Sequence, residues 1–162
     1  MRQLILKLTV IALATALTGC GFQLRDDYQL PPAMQTVSVQ APAFSEFQQV
    51  LERRLNLAGA KLDGTQQKSL IIEVLDDTLD RRTLSLSQSG QVAEYEMIYT
   101  VYYQLIEQGE VSAQQQVEVY RDYQDDPNFA LAKTREREVL VQEMREEAAR
   151  LLLRQTIAYL TE

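Results

Sequence analysis

The 162-residue sequence contains no histidine, no tryptophan and a single cysteine, Cys20. Histidine and cysteine are common ligands of zinc and copper, and histidine is the usual base beside a nucleophile, so their scarcity disfavours such sites. One cysteine cannot form an intramolecular disulfide, so stability must come from packing. The chain also has no glycine-rich phosphate loop and no serine-centred nucleophile elbow. We therefore predict no catalytic residue, no metal and no cofactor.

Acidic residues are abundant, but their spacing does not indicate acid–base chemistry. The pairs Asp76-Asp77, Asp125-Asp126 and Glu146-Glu147 are adjacent in sequence. Adjacent side chains point to opposite faces of a strand, and they diverge by about 100° on a helix. We interpret these pairs as solvated surface. The formal net charge of −7 also disfavours general binding to nucleic acids.

The N-terminal segment has the layout of a secretory signal, with Arg2 and Lys7 before an apolar run over residues 8–17. This run is shorter than the roughly 20 residues of a spanning helix. It ends in Leu-Thr-Gly-Cys, the cleavage pattern of bacterial lipoproteins. We predict that residues 1–19 are a signal peptide and that Cys20 becomes the acylated N-terminus, carrying fatty-acyl chains such as palmitate. An ordinary signal or a buried free cysteine is the alternative.

Two features bear on where a lipoprotein of this kind would reside. Two or more acyl chains anchor a protein stably, whereas one holds it only marginally. Gly21 follows the cysteine, where an aspartate would favour retention in the inner membrane. We therefore expect the periplasmic side of the outer membrane. Loss of Arg2 and Lys7 with the signal takes the net charge of the chain from −7 to −9.

The next part of the chain predicts a tether, a strand and a helix. Residues 20–34 end near two prolines and indicate a mostly extended tether. Residues 35–40 alternate with period two, which predicts a short strand. Ser45 and Gln48 have the spacing of a capping box, and apolar residues then recur at helical spacing as far as Ala58. Gly59 is suited to end this helix.

The middle of the chain predicts three strands. Residues 69–75 are rich in β-branched and apolar residues and indicate a strand continuing toward Leu79. A long strand then carries large apolar residues on one face, followed by a tight turn at Gln108-Gly109 and a return strand over 111–119. That face comprises Tyr95, Met97, Tyr99, Val101, Tyr103 and Leu105. Its tyrosines fit packing under helices, or alternatively a contact surface for a partner or lipid.

The last segment predicts one long helix. Asp126 can cap it, Pro127 suits its first position, and no helix breaker occurs from Phe129 to Leu160. The chain therefore predicts an α+β fold: a two-layer sandwich with a four-stranded sheet and two helices packed on one face, in the order β-α-β-β-β-α. Residues 35–162 should form a single domain.

Several stretches carry a resemblance to a known family. They are Cys20-Gly21-Phe22-Gln23-Leu24-Arg25, Gly90-Gln91-Val92-Ala93-Glu94-Tyr95-Glu96-Met97, Asp125-Asp126-Pro127-Asn128-Phe129-Ala130-Leu131-Ala132-Lys133 and Gln142-Glu143-Met144. In order and spacing the chain resembles the LptE family, the lipoprotein of the outer-membrane lipopolysaccharide transport machine. The resemblance implies the same sheet-and-helix fold. It also implies a plug inside the LptD β-barrel, in a heterodimer, that assists barrel assembly and binds lipopolysaccharide.

The resemblance also implies binding residues. A basic residue ends the Ala-Leu-Ala-Lys stretch, which here is Lys133, while the basic residue expected three positions before the hairpin glycine is Gln88. Other basic residues are therefore also candidates for binding an anion. The candidate set is Lys133, Arg135, Arg137 and Arg82, and Arg81 is adjacent to Arg82. A solvated helix face is the alternative interpretation of these charges.

The polar hairpin tip is the expected contact with the barrel lumen. It comprises Ser87, Gln88, Ser89, Gly90 and Gln91. The alternative function is a free-standing envelope lipoprotein that binds a lipid or glycan without a barrel partner.

Overall fold

The structure, a computed structural model, describes residues 29–63 and 70–161, together with Gln3 alone in the N-terminal segment. Apart from Gln3, the predicted signal peptide, Cys20 and the tether as far as residue 28 lie outside the described residues. Within the described ranges, no helix combines the length and hydropathy required to cross a bilayer.

Within residues 29–63 and 70–161, five strands and two α-helices follow one another. The strands are β1 (Thr36–Gln40), β2 (Lys61–Leu62), β3 (Leu70–Leu86), β4 (Val92–Glu107) and β5 (Glu110–Gln124). The helices are α1 (Glu46–Leu57), between β1 and β2, and α2 (Ala130–Thr161), after β5. Single 3-10 turns at Pro32–Met34 and Pro127–Phe129 precede β1 and α2. The predicted α+β class is confirmed.

The sheet is mixed, with strand order β2-β1-β3-β4-β5. The prediction of four strands is one too few, because β2 pairs with β1 over only two residues, too few to show a period-two pattern. β1 runs parallel to both of its neighbours, whereas β3, β4 and β5 form an antiparallel meander. A two-residue turn joins β4 to β5, with positive φ at both Gln108 and Gly109, as a primed hairpin turn requires.

Helix α1 has well-defined ends. The Ser45 hydroxyl accepts a hydrogen bond from the backbone N–H of Gln48 at 3.1 Å, as predicted, while the Gln48 side chain donates to Glu52 instead of completing a capping box. At the other end Gly59 adopts φ of 92°. The amides of Gly59 and Ala60 donate to the carbonyls of Asn56 and Leu55, which forms a Schellman motif.

Both helices cover the same face of the sheet and share one hydrophobic core with it. The buried residues of α1 are Phe47, Val50, Leu51 and Leu55, and those of α2 are Met144, Ala148, Ala149, Leu152, Leu153 and Thr156. Tyr99 and Tyr103 are fully buried beneath them, so the packing interpretation of the tyrosines is confirmed for these two. The core begins before residue 35, because Met34 is fully buried and Leu30 packs against it.

The three long strands extend beyond β1 to one end of the molecule. β1 pairs with β3 only as far as Gln40 opposite Glu73, while β3 continues to Leu86, well past the predicted end near Leu79. We call the turn over residues 87–91 the tip. The part of the meander between Glu73 and the tip, where β3 no longer pairs with β1, is called the tip half. The N-terminal turns of α2 cover the inner face of the tip half.

Candidate anion-binding site

A β-bulge decides which arginine of β3 faces the helices. The register of β3 against β4 shifts between Val74 and Asp76, so Leu75 is an extra residue. An extra residue inverts the alternation of every side chain beyond it. Val74 faces the core, and past the bulge Arg81 lies opposite Met97, which is buried under α2. Arg82 lies opposite Glu96 on the uncovered face.

The start of α2 is fixed to the sheet by hydrogen bonds. The amide of Asp125 donates to the carbonyl of Ala93 on β4 at 3.0 Å, and the Asp126 carboxylate accepts from the Asn128 amide at 2.9 Å. The Tyr123 hydroxyl of β5 donates to the backbone carbonyl of Lys133 at 2.9 Å. These contacts hold the first turns of the helix over the inner face of the tip half.

Three cations line one cavity between β3 and α2. The cavity has a volume of about 190 Å³ and lies against Arg81, Tyr95, Met97, Tyr123, Asp125, Ala130, Lys133, Thr134 and Arg137. We call it the basic cleft. Lys133 and Arg137 are four residues apart on α2, so they project from the same side of the helix. Asp125 is the one acid among these lining residues.

Aromatic rings position two of the cations. The Arg81 guanidinium lies 5.0 Å from the centre of the Tyr95 ring, and the Lys133 ammonium lies 5.4 Å from the centre of the Tyr123 ring. Both distances fit cation–π contacts. Burial raises the pKa of Tyr123, so this hydroxyl stays protonated as a donor to the helix.

Lys133 is held in its charged form. Its ammonium donates to the Glu136 carboxylate at 2.9 Å, and this hydrogen bond raises the lysine pKa. Its side chain is only 20% exposed. Guanidinium and ammonium groups that converge in this way can make charge-assisted hydrogen bonds to a phosphate or carboxylate group.

The structure separates the four predicted cations. Lys133 and Arg137 line the basic cleft, whereas Arg82 and Arg135 do not. Arg82 lies on the uncovered face of the sheet, where it binds the Glu96 carboxylate at 2.6 Å. Arg135 is exposed and is two residues from Lys133, which places it on the opposite side of α2. The cleft instead contains Arg81.

The tip is a compact, exposed turn. The Ser87 amide donates to the Gln91 carbonyl at 2.7 Å, and the Gly90 amide donates to the Ser87 carbonyl at 2.9 Å. Gly90 has φ of 79°, which favours glycine there. All five predicted contact residues, Ser87, Gln88, Ser89, Gly90 and Gln91, are exposed.

Known proteins share this fold. The chain is similar to the crystal structure of rare lipoprotein B from Shewanella oneidensis, with a TM-score of 0.68 and 36% identity, covering 78% of this chain and 96% of that one. It is also similar to the solution structure of a lipoprotein B from Nitrosomonas europaea, with a TM-score of 0.72 and 32% identity, covering 87% and 93%. The fold is thus that of two-layer α+β lipoprotein domains.

The sequence comparisons define the family within that class. The sequence profile of the LptE family, described as lipopolysaccharide-assembly, matches residues 34–156. The "LPS-assembly lipoprotein LptE" of Pectobacterium atrosepticum is 36% identical over 152 residues, covering 91% of this chain and 83% of that protein. The chain belongs to the LptE family, which confirms the resemblance seen in its sequence.

Proposed function

We propose that this chain is an outer-membrane lipoprotein that binds lipopolysaccharide through the basic cleft while that glycolipid is delivered to the outer leaflet. The observation that carries the proposal is the convergence of Arg81, Lys133 and Arg137 in one cavity of a chain with net charge −7. Lipopolysaccharide is polyanionic, so an acidic protein exerts no long-range attraction on it. Binding must therefore be local and charge-assisted, and the cleft provides such a place.

We further propose that the chain acts as the plug and assembly partner of an LptD-type β-barrel. Membership of the LptE family and the exposed, polar tip support this role. Short polar residues at a turn allow close approach to other backbone within a confined lumen. In this role the chain is a structural and binding subunit, not an enzyme.

The alternative is a free-standing lipoprotein that carries a lipid between its sheet and helices. Such a carrier requires space for an acyl chain in that layer. In this chain the layer is occupied by side chains below 2% exposure, among them Tyr99, Tyr103, Phe47, Leu152 and Leu153. The filled core favours the surface cleft as the ligand site.

Charge reversal at the cleft tests lipopolysaccharide binding. In the full-length chain purified in detergent, Lys133→Asp should weaken lipopolysaccharide binding about tenfold or more, because a charge-assisted hydrogen bond contributes about 1.5–3 kcal/mol. Arg135→Asp is the matched control, with the same charge change on the far side of the same helix, and should retain the affinity. Equal losses in both variants would show that only net charge matters and would refute the cleft.

Affinity purification from native outer membranes tests the barrel partnership. After detergent extraction, the full-length chain should co-purify with a β-barrel of several hundred residues in equal amounts, identified by mass spectrometry. Replacement of Ser87 and Ser89 by glutamate should reduce the amount of barrel protein that co-purifies. The thermal stability of the domain should not change. Recovery of the chain as a free monomer would refute the plug role.

Cys20 would tether the plug at the inner leaflet, beside the periplasmic mouth of its barrel. We expect Cys20→Ser to abolish labelling with palmitate and to release the chain from membranes that lack the barrel. Folding should be unaffected, because residues 29–63 and 70–161 already contain the core. Retention of the palmitate label in Cys20→Ser would show that the lipid is attached elsewhere.

A further inference from the structure

A groove between the two helices adjoins the basic cleft. It separates residues 46–53 of α1 from residues 137–145 of α2 and has a volume of about 640 Å³. Its walls include Gln49 and Arg53 of α1 and Arg137, Gln142 and Arg145 of α2. We call it the interhelical groove. Arg137 lines both this groove and the basic cleft, so the two cavities meet at that residue.

Ion pairs between the helices fix the shape of the groove. Arg145 of α2 binds Glu46 of α1 at 2.7 Å, and Arg53 of α1 binds Glu146 of α2 at 3.4 Å. Beneath these pairs Val50 and Met144 belong to the core, which sets the floor at the hydrophobic layer. The groove therefore exists without a ligand, and it has charged and amide walls.

The chemistry of these walls suits a saccharide better than an acyl chain. Guanidinium groups, carboxylates and the amides of Gln49 and Gln142 offer donors and acceptors in the fixed directions that hydroxyl groups require. Polar groups of this kind lose their hydration when a hydrocarbon covers them, which costs free energy. Arg53 and Arg145 already bind glutamates, so an acidic sugar or sugar phosphate would pair with Arg137.

The surface on the other side of the basic cleft is apolar. Phe129, in the turn before α2, has 64% of its surface exposed, and Leu84 and Leu86 at the end of β3 are exposed too. These three residues share the tip end, because Leu86 pairs with Val92 while Asp125 binds Ala93. Along α2 the order is therefore apolar residues, cations, and then the polar groove.

We propose that the interhelical groove binds the core oligosaccharide of lipopolysaccharide, next to the phosphate held in the basic cleft. The three surface zones repeat the order of the ligand's own parts, which are acyl chains, phosphorylated sugars and outer sugars. The glycolipid would thus lie along α2 with its acyl chains toward Phe129. This inference rests on the proposed lipopolysaccharide binding and adds the direction of the ligand.

Filling the groove tests this proposal. In the full-length chain in detergent, Gln49→Trp with Gln142→Trp would occupy the groove from two exposed helix positions and leave Arg137 intact. Two probes are compared, lipopolysaccharide with its core oligosaccharide and diphosphoryl lipid A without it. The double variant should bind the first about tenfold more weakly, as expected from the loss of a few hydrogen bonds, and should bind the second as the wild type does.

Two controls distinguish the saccharide site in the groove from the proposed lipopolysaccharide binding in the basic cleft. Gln116→Trp, on the uncovered face of β5, should change neither affinity, while Lys133→Asp should weaken both. Equal losses for the two probes in the groove variant, or no loss for either, would overturn the saccharide site while leaving the cleft in place. A selective loss in the groove variant, with no effect of Lys133→Asp, would support the groove and refute the cleft. Absence of wild-type binding to both probes would refute both.

Discussion

The two halves of β3 have opposite surroundings. Residues 70–74 lie between β1 and β4, and four of the five are buried. Residues 75–86 pair with β4 alone, and none of them is buried. One continuous strand thus joins a packed anchor to an exposed arm. Residues that stabilise the fold are therefore separated along the strand from Arg81 of the basic cleft, so each can be altered without the other.

The largest expected effect comes from the anchored half. Ile72 is fully buried between sheet and helices, so Ile72→Ala should reduce the free energy of unfolding by about 2–5 kcal/mol. Leu86→Ala makes a comparable deletion in the arm, where the side chain is 62% exposed, and should change stability by about 0.5 kcal/mol or less. Urea unfolding measures both values. Similar losses would show that the arm is packed as firmly as the anchor.

A smaller effect should appear at high pH. Burial raises the pKa of Tyr103, opposite Val74 in the anchored half, to about 12 from an ordinary value of 10.0. The folded state favours the neutral phenol, so its contribution to stability is complete below pH 10 and is lost as the pH rises to about 12. Over that range the wild type should lose about 2 kcal/mol more than Tyr103→Phe does.

Urea unfolding at intervals between pH 9 and pH 12 would measure this difference, with the values at pH 9 as the reference for each protein. The comparison subtracts the titration of lysines, which both proteins share. Parallel curves for the two proteins would contradict the assigned burial of the Tyr103 hydroxyl.

The smallest effect on stability should come from the two arginines of the arm. Exposed ion pairs contribute about 0–1 kcal/mol, so Arg82→Gln, which removes the contact with Glu96, should leave the fold nearly unchanged. Arg81→Gln should be equally mild for stability but should weaken lipopolysaccharide binding several-fold, since Arg81 lines the basic cleft. Binding and urea assays on both variants give the comparison. A greater loss of affinity for Arg82→Gln would place the site on the other face.

Much of the fold could be predicted from alternation and capping signals. The inner face of β4 follows a strict period of two from Tyr95 to Leu105, and Ser45 and Asp126 stand where their helical segments begin. β2 could not be predicted, because two residues show no pattern and their pairing depends on β1 and α1 being in place. The part of β3 beyond Leu79 could not be predicted, because its exposed, charged residues lack an apolar face.

The sequence indicates the helix side of the candidate site but not its β3 side. Lys133 and Arg137 share a helical face, which their spacing of four already indicates. On β3, a regular alternation continued from Ile72 and Val74 points Arg82 toward the helices. The bulge at Leu75 reverses this and puts Arg81 there instead. A bulge arises from pairing between strands, so the sequence of one strand does not reveal it.

The arm of β3 has one further property. Beyond Glu73 its outer backbone edge has no neighbouring strand among the residues that the structure describes, and such an edge can recruit a strand of another molecule. Here the edge carries exposed Asp76, Asp80 and Arg82, and three irregularities interrupt its register. Charges and bulges both oppose pairing between identical edges. The arm can therefore remain exposed while its edge disfavours pairing with the same edge of a second copy.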